Sequence, residues 1–306
     1  SWAAYRWLVK RLGTEPAWES VDDLRRLVEP LKPLRFVTAT DGNHGRGVAW
    51  TARRLGVDAE VFMPRGTVSA RIEAIRSEGA TVTVVDGSYD ETVRVAAESL
   101  DDRAVLIQDT GRPGYEEIPR WIVEGYATLH HEIERDQVLQ HRRPDIVIVP
   151  VGVGSLAEAA VRHWRSSASE DRPLLVSVEP LSSNCLMESL RLDERISLPE
   201  GDGTIMAGLN CGTVSFTSWP ILRRGLNLAL ALDDTWAADA VRWGKRQGLI
   251  SGESGASGIA ALLALVKDPV LREAGDALGV GLDSTVLLYN TEGITDPEGY
   301  GRLVDR

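Results

Sequence analysis

Apolar residues along this chain fall into two alternating patterns, short runs and segments with one apolar face. From residue 35 onward, the runs at 59–63, 81–85 and 104–107 alternate with segments whose apolar residues recur every three or four positions. The runs are typical of buried strands and the segments of amphipathic helices. This alternation predicts a parallel sheet with right-handed crossovers. We therefore predict a small α/β domain at residues 35–115.

The same alternation continues in the second half of the chain. Three further buried strands are predicted, at 146–149, 174–178 and 286–289. A long helix is predicted from 118 to about 140, and helices at 1–12 and 18–29 precede the small domain. We predict a larger domain formed by 1–34 and 116–306. The predicted fold class is α/β, with two open, mainly parallel twisted sheets flanked by helices.

Composition narrows the possible functions. The 306 residues are 43% hydrophobic and 26% charged, as is usual for globular proteins. The net charge of −11 and the lack of a long basic cluster argue against binding to nucleic acid or to an anionic membrane. The apolar runs are far shorter than the ~20 residues that span a bilayer, and the first residues show no secretory signal. We expect a cytoplasmic protein that acts on small molecules.

Cysteine chemistry is limited to two residues, Cys185 and Cys211. Two cysteines cannot form a disulfide framework or a complete zinc site by themselves. We therefore predict small buried side chains and no metal site, and whether the two cysteines pair stays open.

The first candidate site is the turn after the apolar pair Phe36-Val37. The run Thr38-Ala-Thr-Asp-Gly-Asn-His-Gly-Arg-Gly-Val-Ala-Trp50 combines three glycines with polar side chains and then continues as a helix. A turn that opens a helix directs backbone N–H groups and the positive end of the helix dipole at one point, which suits a carboxylate or a phosphate. The alternative is a glycine turn that only connects strand to helix.

A second glycine turn, Val151-Gly-Val-Gly-Ser155, follows the strand at 146–149 and leads straight into a helix. Successive N–H groups in such a turn can bind an anion, although the glycines can also serve only to relieve crowding. No Gly-Lys-Ser/Thr follows, and the third glycine of the dinucleotide-binding pattern is missing. ATP and dinucleotides are therefore poor fits, and the turn predicts a phosphate of another ligand.

Four motifs in this order resemble the fold-type II pyridoxal-phosphate enzymes, the group of tryptophan synthase β and of the threonine and serine dehydratases. Beside the two turns, the motifs are Ile250-Ser-Gly-Glu-Ser-Gly-Ala256 and Asn290-Thr-Glu-Gly-Ile-Thr-Asp296. Within the group, Asp41, Gln108-Asp-Thr110 and Ile205-Met-Ala-Gly-Leu209 are similar to the diaminopropionate ammonia-lyases. The resemblance implies two domains with a cofactor cleft between them, a homodimer, and pyridoxal 5′-phosphate as the cofactor.

The resemblance also implies roles for single residues. Asn43 would hydrogen-bond the phenolate oxygen of the cofactor ring. The substrate carboxylate would be held by three residues of the first turn: Thr40, Gly42 and His44. The cofactor phosphate would be held by four residues of the second turn: Gly152, Val153, Gly154 and Ser155. A neutral polar group near the pyridine nitrogen matches Asn290, with Thr291 adjacent.

Asp41 and Asp109 are the predicted catalytic residues. As the resemblance implies, Asp41 could remove an α-proton from the substrate, and Asp109 could complete the acid–base pair and bind a distal ammonium. A helix cap is the alternative for Asp41, and a solvated loop aspartate is the alternative for Asp109. His44 is predicted to be structural.

Enzymes of this group need a lysine that bonds to the cofactor, and no lysine of this sequence lies at its usual place. All four lysines are predicted to be surface charges: Lys10, Lys32, Lys245 and Lys267. The opening Ser1-Trp-Ala-Ala-Tyr-Arg6 resembles the segment that directly follows the lysine in the group. We therefore expect the lysine to precede Ser1.

The predicted reaction is α,β-elimination of 2,3-diaminopropionate to pyruvate and two molecules of ammonia. One alternative is a serine or threonine dehydratase of the same fold, which expels hydroxide and has less need of Asp41 and Asp109. The other alternative is a non-catalytic module that keeps the fold without the lysine.

Overall fold

The computed structural model describes residues 1–140, 143–166, 172–199 and 201–305. It divides into two compact units, Ser1–Gly125 and Tyr126–Arg306. Each unit contains a four-stranded sheet in which all neighbouring strands are parallel. The predicted fold class, two parallel sheets flanked by helices, is therefore confirmed. Within the described ranges, no helix is both long enough and apolar enough to cross a bilayer.

The first unit contains the four strands that the sequence predicts. They are β1 (Arg35–Ala39), β2 (Asp58–Pro64), β3 (Thr81–Val85) and β4 (Ala104–Leu106). The helices are α1 (Trp2–Leu12), α2 (Val21–Val28), α3 (Asn43–Leu55), α4 (Ser69–Arg76), α5 (Tyr89–Glu98) and α6 (Glu117–Gly125). A 3-10 helix, Glu29–Leu31, follows α2.

The strand order of the first sheet is β3-β2-β1-β4. Successive side chains of a strand point to opposite faces, and both faces of the central strand β1 are apolar. Phe36 packs in a core cluster with Leu8 and Val48, whereas Val37 packs with Ala96 on the other face. Burial on both faces explains why β1 reads as an apolar run rather than as an alternation.

The N-terminal helices belong to the first unit, which differs from the prediction that joined 1–34 to the second domain. Leu8 of α1 and Leu24 of α2 lie in the same buried cluster as Trp121 of α6. Their apolar faces cover the first sheet, and the hydrophobic effect keeps them there. The predicted boundary near 115 also moves, to Gly125.

The second unit contains four strands and eight helices in its described parts. The strands are β5 (Ile146–Pro150), β6 (Leu174–Pro180), β7 (Leu228–Leu232) and β8 (Val286–Leu288). The helices are α7 (Ala127–Gln140), α8 (Ser155–Ser166), α9 (Cys185–Leu192), α10 (Trp219–Gly225), α11 (Asp234–Arg246), α12 (Ser257–Lys267), α13 (Arg272–Ala277) and α14 (Pro297–Val304). Leu181–Ser183 and Ala207–Leu209 are 3-10 helices.

The second sheet repeats the topology of the first, in the order β7-β6-β5-β8. The three predicted strands are present, and β7 is an edge strand that the sequence analysis did not predict. Alternate residues of β7 are buried, since Leu230 and Leu232 lie in the core cluster that also contains Ile148 and Val176.

The long helix predicted from 118 to about 140 is two helices, α6 and α7, which are interrupted at Tyr126. Gly125 ends α6, and glycine favours helix less than almost any other residue. The interruption coincides with the division between the two units.

A cluster of histidines lies where α7 packs on α8. His130 is fully buried, and its ring stacks on His163 with 4.9 Å between the ring centroids. Its Nδ1 donates to the carbonyl oxygen of Tyr126 at 2.9 Å, while its Nε2 has no hydrogen-bond partner among the described residues. Burial lowers the pKa of His130 to about 4.

We expect this histidine to make the protein less stable in mild acid. An unfolded histidine binds a proton near pH 6.5, whereas folded His130 does so only near 4, so a fall in pH through this window favours the unfolded chain. In urea unfolding, His130→Leu should flatten the decrease of the unfolding free energy between these pH values. The exposed neighbour His131, replaced by Leu, is the control and should keep the wild-type slope. The same slope in His130→Leu as in the wild type would contradict the assignment.

Candidate functional site

Both sheets place their polar loops at the carboxyl ends of two neighbouring strands. In the first sheet the chain continues from β1 to β2 on one side, and β4 lies on the other side; β5 and β8 have the same relation in the second sheet. Ligands of open parallel sheets bind at such switch points. The predicted site residues follow these four strands: Thr40–His44 after β1, Asp109 after β4, Gly152–Ser155 after β5, and Asn290 and Thr291 after β8.

The turn after β1 is organised by the hydroxyl of Thr40. This side chain is buried, and its Oγ1 accepts hydrogen bonds from the N–H groups of Gly42 and Gly45, both at 3.0 Å. Gly42 is the N-cap residue of α3 and has no side chain, and the hydroxyl of Thr40 instead binds the first-turn N–H of Gly45. The alternative that Asp41 serves as a helix cap is therefore wrong.

The carboxyl group of Asp41 is shielded from water. Its side chain keeps some exposed surface but is enclosed by other protein atoms, and this removal from water raises the pKa of Asp41 well above its ordinary value of 3.8. Arg71 opposes the rise in pKa, and the like charges of Asp109 and Asp90 add to it. A carboxylate with a raised pKa is a stronger base than an ordinary aspartate, which is a property that favours general-base catalysis.

Arg71 is a site residue that the sequence analysis missed. It lies in α4, one turn before Ile75, and both side chains are buried. The arginine stem runs along the first turn, because its Cδ lies 3.5 Å from the point that a Cβ on Gly42 would occupy. In the sequence, Arg71 stands four residues before Ile75, so the two side chains lie on the same face of a helix. A charged residue on the apolar face of a helix is the signal that could have identified Arg71.

Asp109 is held by a network at the end of β4. The side-chain amide of Gln108 donates to Asp109 Oδ1 at 2.9 Å, and its Oε1 accepts from the N–H of Ala39 at 2.8 Å. The hydroxyls of Tyr89 and Thr110 each lie 3.4 Å from the same Oδ1. Because the Asp109 side chain is only 18% exposed, the alternative of a solvated loop aspartate is wrong.

His44 is anchored beside Asp109. Its Nε2 donates to the carbonyl oxygen of Ile107 at 2.7 Å, and its Nδ1 lies 4.0 Å from Asp109 Oδ2. The bond to the carbonyl holds the ring in one orientation, which agrees with the predicted structural role. The structure thus brings Asp41, His44 and Asp109 together at the ends of β1 and β4.

The turn after β5 has the backbone that a phosphate site needs. Gly154 has a φ of +99°, which residues with a Cβ rarely adopt, and Ser155 begins α8. A Cβ on Gly152 would lie 3.1 Å from Cys211 Sγ and 3.3 Å from the carbonyl oxygen of Gly208. The turn therefore places bare backbone at the N-terminus of α8, where an anion is favoured. These residues fit the phosphate of pyridoxal 5′-phosphate.

A buried carboxylate supports this turn. Glu158 of α8 is fully buried; its Oε2 accepts from the hydroxyl of Ser218 at 2.8 Å and its Oε1 from Nε of Arg162 at 2.8 Å. Ser218 packs in turn against Gly154, with its Cβ 3.4 Å from the point that a Cβ there would occupy. The sequence analysis missed Glu158. The signal that could have identified it is a single acidic residue among the alanines of α8.

Asn290 connects the loop after β8 to the third motif. Its Oδ1 accepts from the hydroxyl of Ser251 at 2.8 Å, and its Nδ2 donates to the carbonyl oxygen of Ile250 at 3.0 Å. Thr291 is exposed, and within the described ranges its hydroxyl makes no hydrogen bond to protein. Of these two neighbours, Thr291 therefore has the more accessible group for a ring nitrogen.

The lysines lie on the surface, as predicted. Lys10 pairs with Glu117 at 2.5 Å, and Lys32 pairs with Glu29 at 2.8 Å. All four lysine residues are exposed: Lys10, Lys32, Lys245 and Lys267.

The two cysteines are not joined by a disulfide, and both are buried. Both lie beside the turn after β5: Cys185 Sγ is 4.0 Å from the carbonyl oxygen of Gly152, and Cys211 faces the same glycine. They are the small buried side chains that the sequence predicts.

Comparison with known proteins identifies the family of this chain. A family model described as "Pyridoxal-phosphate dependent enzyme" matches residues 14–280. The chain is also 41% identical to the diaminopropionate ammonia-lyase of Salmonella typhimurium strain LT2 over 286 residues, which are 90% of this chain and 71% of that protein.

Solved structures agree with this similarity. The crystal structure of diaminopropionate ammonia lyase from Escherichia coli in complex with D-serine superposes with a TM-score of 0.90 at 32% identity, over 99% of this chain and 77% of that chain. The same protein in complex with an aminoacrylate-PLP azomethine reaction intermediate has a TM-score of 0.87 at 32% identity, over 99% of this chain and 76% of that chain. The resemblance predicted from the four motifs is therefore confirmed.

Proposed function

Because this chain belongs to the family of pyridoxal-phosphate dependent enzymes, we propose that it catalyses α,β-elimination of 2,3-diaminopropionate to pyruvate and two molecules of ammonia. The similarity to ammonia-lyases along nearly the whole chain supports this reaction. The single observation that carries it is that Asp41 and Asp109 lie at the ends of the neighbouring strands β1 and β4, near enough for the charge of Asp109 to raise the pKa of Asp41. Two carboxylates match a substrate that carries two amino groups.

The cofactor makes the α-proton of an attached amino acid acidic, because its ring system withdraws electrons from the α-carbon. Its phosphate is assigned to the N–H groups of Gly152–Ser155 at the start of α8. Asn43 is assigned to the ring oxygen, and the hydroxyl of Thr291 to the pyridine nitrogen. A neutral hydroxyl there leaves the ring incompletely protonated, which favours elimination over transamination.

Asp41 is assigned to proton transfer. As a carboxylate it accepts the α-proton of one substrate enantiomer, and its raised pKa makes it a stronger base than an ordinary aspartate. The positive charge of Arg71 opposes the rise in the pKa of Asp41 and so favours the carboxylate form that accepts the proton. The substrate carboxylate is assigned to the N–H of His44 in the first turn of α3. The predicted backbone donors Thr40 and Gly42 do not fit this role, because their N–H groups already donate to the carbonyl oxygen of Phe62 at 2.9 Å and to Thr40 Oγ1 at 3.0 Å.

Asp109 is assigned to the distal ammonium of the substrate. Gln108, Tyr89 and Thr110 all direct hydrogen-bond donors at its Oδ1, so its carboxylate is preorganised to accept a charged bond from the ammonium with the remaining oxygen. The β-carbon then loses ammonia with the electron pair of the broken C–N bond. The released 2-aminoacrylate takes up water and gives pyruvate and the second ammonia.

The proposal extends to features of the whole protein. The resemblance of residues 1–6 to the segment after the family's lysine supports a lysine that precedes Ser1 in the full-length protein. We assign the full-length protein to the cytoplasm and expect it to form a homodimer. A serine or threonine dehydratase is less well supported, because it expels hydroxide and leaves the charge of Asp109 without a partner.

Substrate comparison tests the proposal. The full-length protein is purified with pyridoxal 5′-phosphate, and pyruvate formation is measured with 2,3-diaminopropionate, serine and threonine. We expect kcat/KM to be highest for diaminopropionate. Equal or better turnover of serine would end the ammonia-lyase assignment, and absence of turnover with all three would favour the non-catalytic module.

A further inference from the structure

A short segment of the second unit covers the phosphate turn. This cover segment, residues 204–211, includes the 3-10 helix Ala207–Leu209. The carbonyl oxygen of Gly208 and the Cα of Leu209 lie 3.3 and 3.4 Å from the point that a Cβ on Gly152 would occupy. A displacement of the cover segment would therefore either press on the backbone of the phosphate turn or leave a gap beside it.

The middle of the cover segment is fixed by a side chain of the third motif. Ser254 is buried, and its Oγ accepts a hydrogen bond from the N–H of Gly208 at 3.0 Å. The hydroxyl of Ser257 donates to the carbonyl oxygen of Ser254 at 2.7 Å, which ties this serine to the start of α12. The position of Gly208 thus depends on the position of Ser254.

Ser254 is fixed in turn by the fourth motif. Its N–H donates to Glu292 Oε1 at 3.0 Å, and the carboxyl group of Glu292 is buried. The other oxygen of this carboxyl, Oε2, lies 3.3 Å from the hydroxyl of Thr295. The N–H of Gly252 also donates to the backbone carbonyl of Glu292, at 3.2 Å. Glu292 directly follows Thr291, which is assigned to the cofactor ring.

From these contacts we infer that Glu292 and Ser254 are positioning residues that couple the ring end of the cofactor site to its phosphate end. The path runs from Glu292 through Ser254 to Gly208, and from Gly208 by direct contact to Gly152. None of these contacts joins Glu292 directly to the phosphate turn. Its replacement should nevertheless weaken the binding of the phosphate group. The inference rests on the proposed placement of the phosphate at Gly152–Ser155.

The experiment compares two probes on the apo form of the full-length protein, pyridoxine 5′-phosphate and pyridoxine. Neither probe has an aldehyde, so no covalent bond to lysine contributes to binding. Isothermal titration gives a Kd for each, and the ratio of the two Kd values measures what the phosphate contributes. We expect wild-type protein to bind the phosphorylated probe about 100-fold more tightly, as several charge-assisted hydrogen bonds would produce.

Three variants test the coupling. Glu292→Met removes the acceptor for Ser254 at similar volume, and we expect it to lower the affinity ratio by about tenfold, the effect of one hydrogen bond to a charged group. Ser254→Ala breaks the next contact and should lower the ratio as much. Glu292→Gln keeps an oxygen that can accept from Ser254 and should restore most of the ratio. The double variant of Glu292→Met and Ser254→Ala should lose little more than either single variant.

Controls separate this inference from the proposed function. Glu298→Gln changes an exposed glutamate of α14 and should leave both Kd values unchanged. Equal affinity of the wild-type protein for the two probes would overturn the phosphate placement and the coupling together. A wild-type preference that Glu292→Met and Ser254→Ala leave intact would overturn the coupling alone. Thermal unfolding of each variant checks that the ratio is measured on folded protein.

Discussion

Replacing Asp41 by asparagine is expected to lower kcat/KM for one enantiomer of 2,3-diaminopropionate by about 10²–10⁴-fold, the usual contribution of a general base. The other enantiomer presents its α-proton to the opposite face, where the family's lysine acts, and should lose much less. The amide keeps the size of Asp41 but cannot accept the proton. In the wild type, turnover of the sensitive enantiomer should rise with pH, because the raised pKa of Asp41 delays its ionisation.

Separate kinetics with the D- and L-enantiomers check this result. Asp86→Asn is the matched control, since Asp86 is a loop aspartate of the same unit with a side chain that is 82% exposed. It should leave both activities unchanged. A loss of equal size for both enantiomers in Asp41→Asn would show that Asp41 holds the site together and does not transfer the proton.

Replacing Asp109 by asparagine is expected to lower kcat/KM for diaminopropionate about 10- to 100-fold more than for serine, the effect of one hydrogen bond to a charged group. Diaminopropionate carries an ammonium where serine carries a hydroxyl, and only the ammonium gains a charged bond from the carboxylate. The neighbours of Asp109 limit the structural damage, because Tyr89 and Thr110 are hydroxyl groups that can also bond to an amide oxygen.

The two substrates serve as controls for each other in this variant. Damage to the cofactor site would lower both activities together, whereas loss of the ammonium contact lowers only one. Equal decreases of kcat/KM for diaminopropionate and serine would show that Asp109 does not distinguish the two substrates. Asp86→Asn again provides the exposed control.

Much of the fold could be predicted because apolar runs and one-sided helices alternate so regularly. Strand β7 was missed because Leu228–Leu232 consists of leucine and alanine, which favour helices, although the alternation of large and small residues along it is a strand pattern. The grouping of α1 and α2 with the second domain differs from the observed division into two units for a different reason. Which sheet a helix covers depends on long-range packing, and no local pattern encodes it.

In the candidate site, too, residues within one continuous motif could be predicted, whereas contacts between distant parts of the sequence could not. Asp41 and the turn at Gly152–Ser155 were predictable because each lies within a continuous motif beside a strand end. The approach of Arg71 to the turn at Gly42 and the contact of Glu292 with Ser254 were not predictable. These contacts join residues that are far apart in sequence, such as positions 254 and 292, and only the folded chain brings them together.

The central claim is that the enzyme removes both nitrogen atoms of diaminopropionate, one by elimination and one by hydrolysis. The most direct test measures ammonia and pyruvate in the same reaction of the full-length protein with 2,3-diaminopropionate. We expect two molecules of ammonia for each pyruvate, and this yield should disappear in the variant that combines Asp41→Asn with replacement of the family's lysine. Consumption of diaminopropionate without pyruvate, or a yield of one ammonia for each pyruvate, would contradict the account.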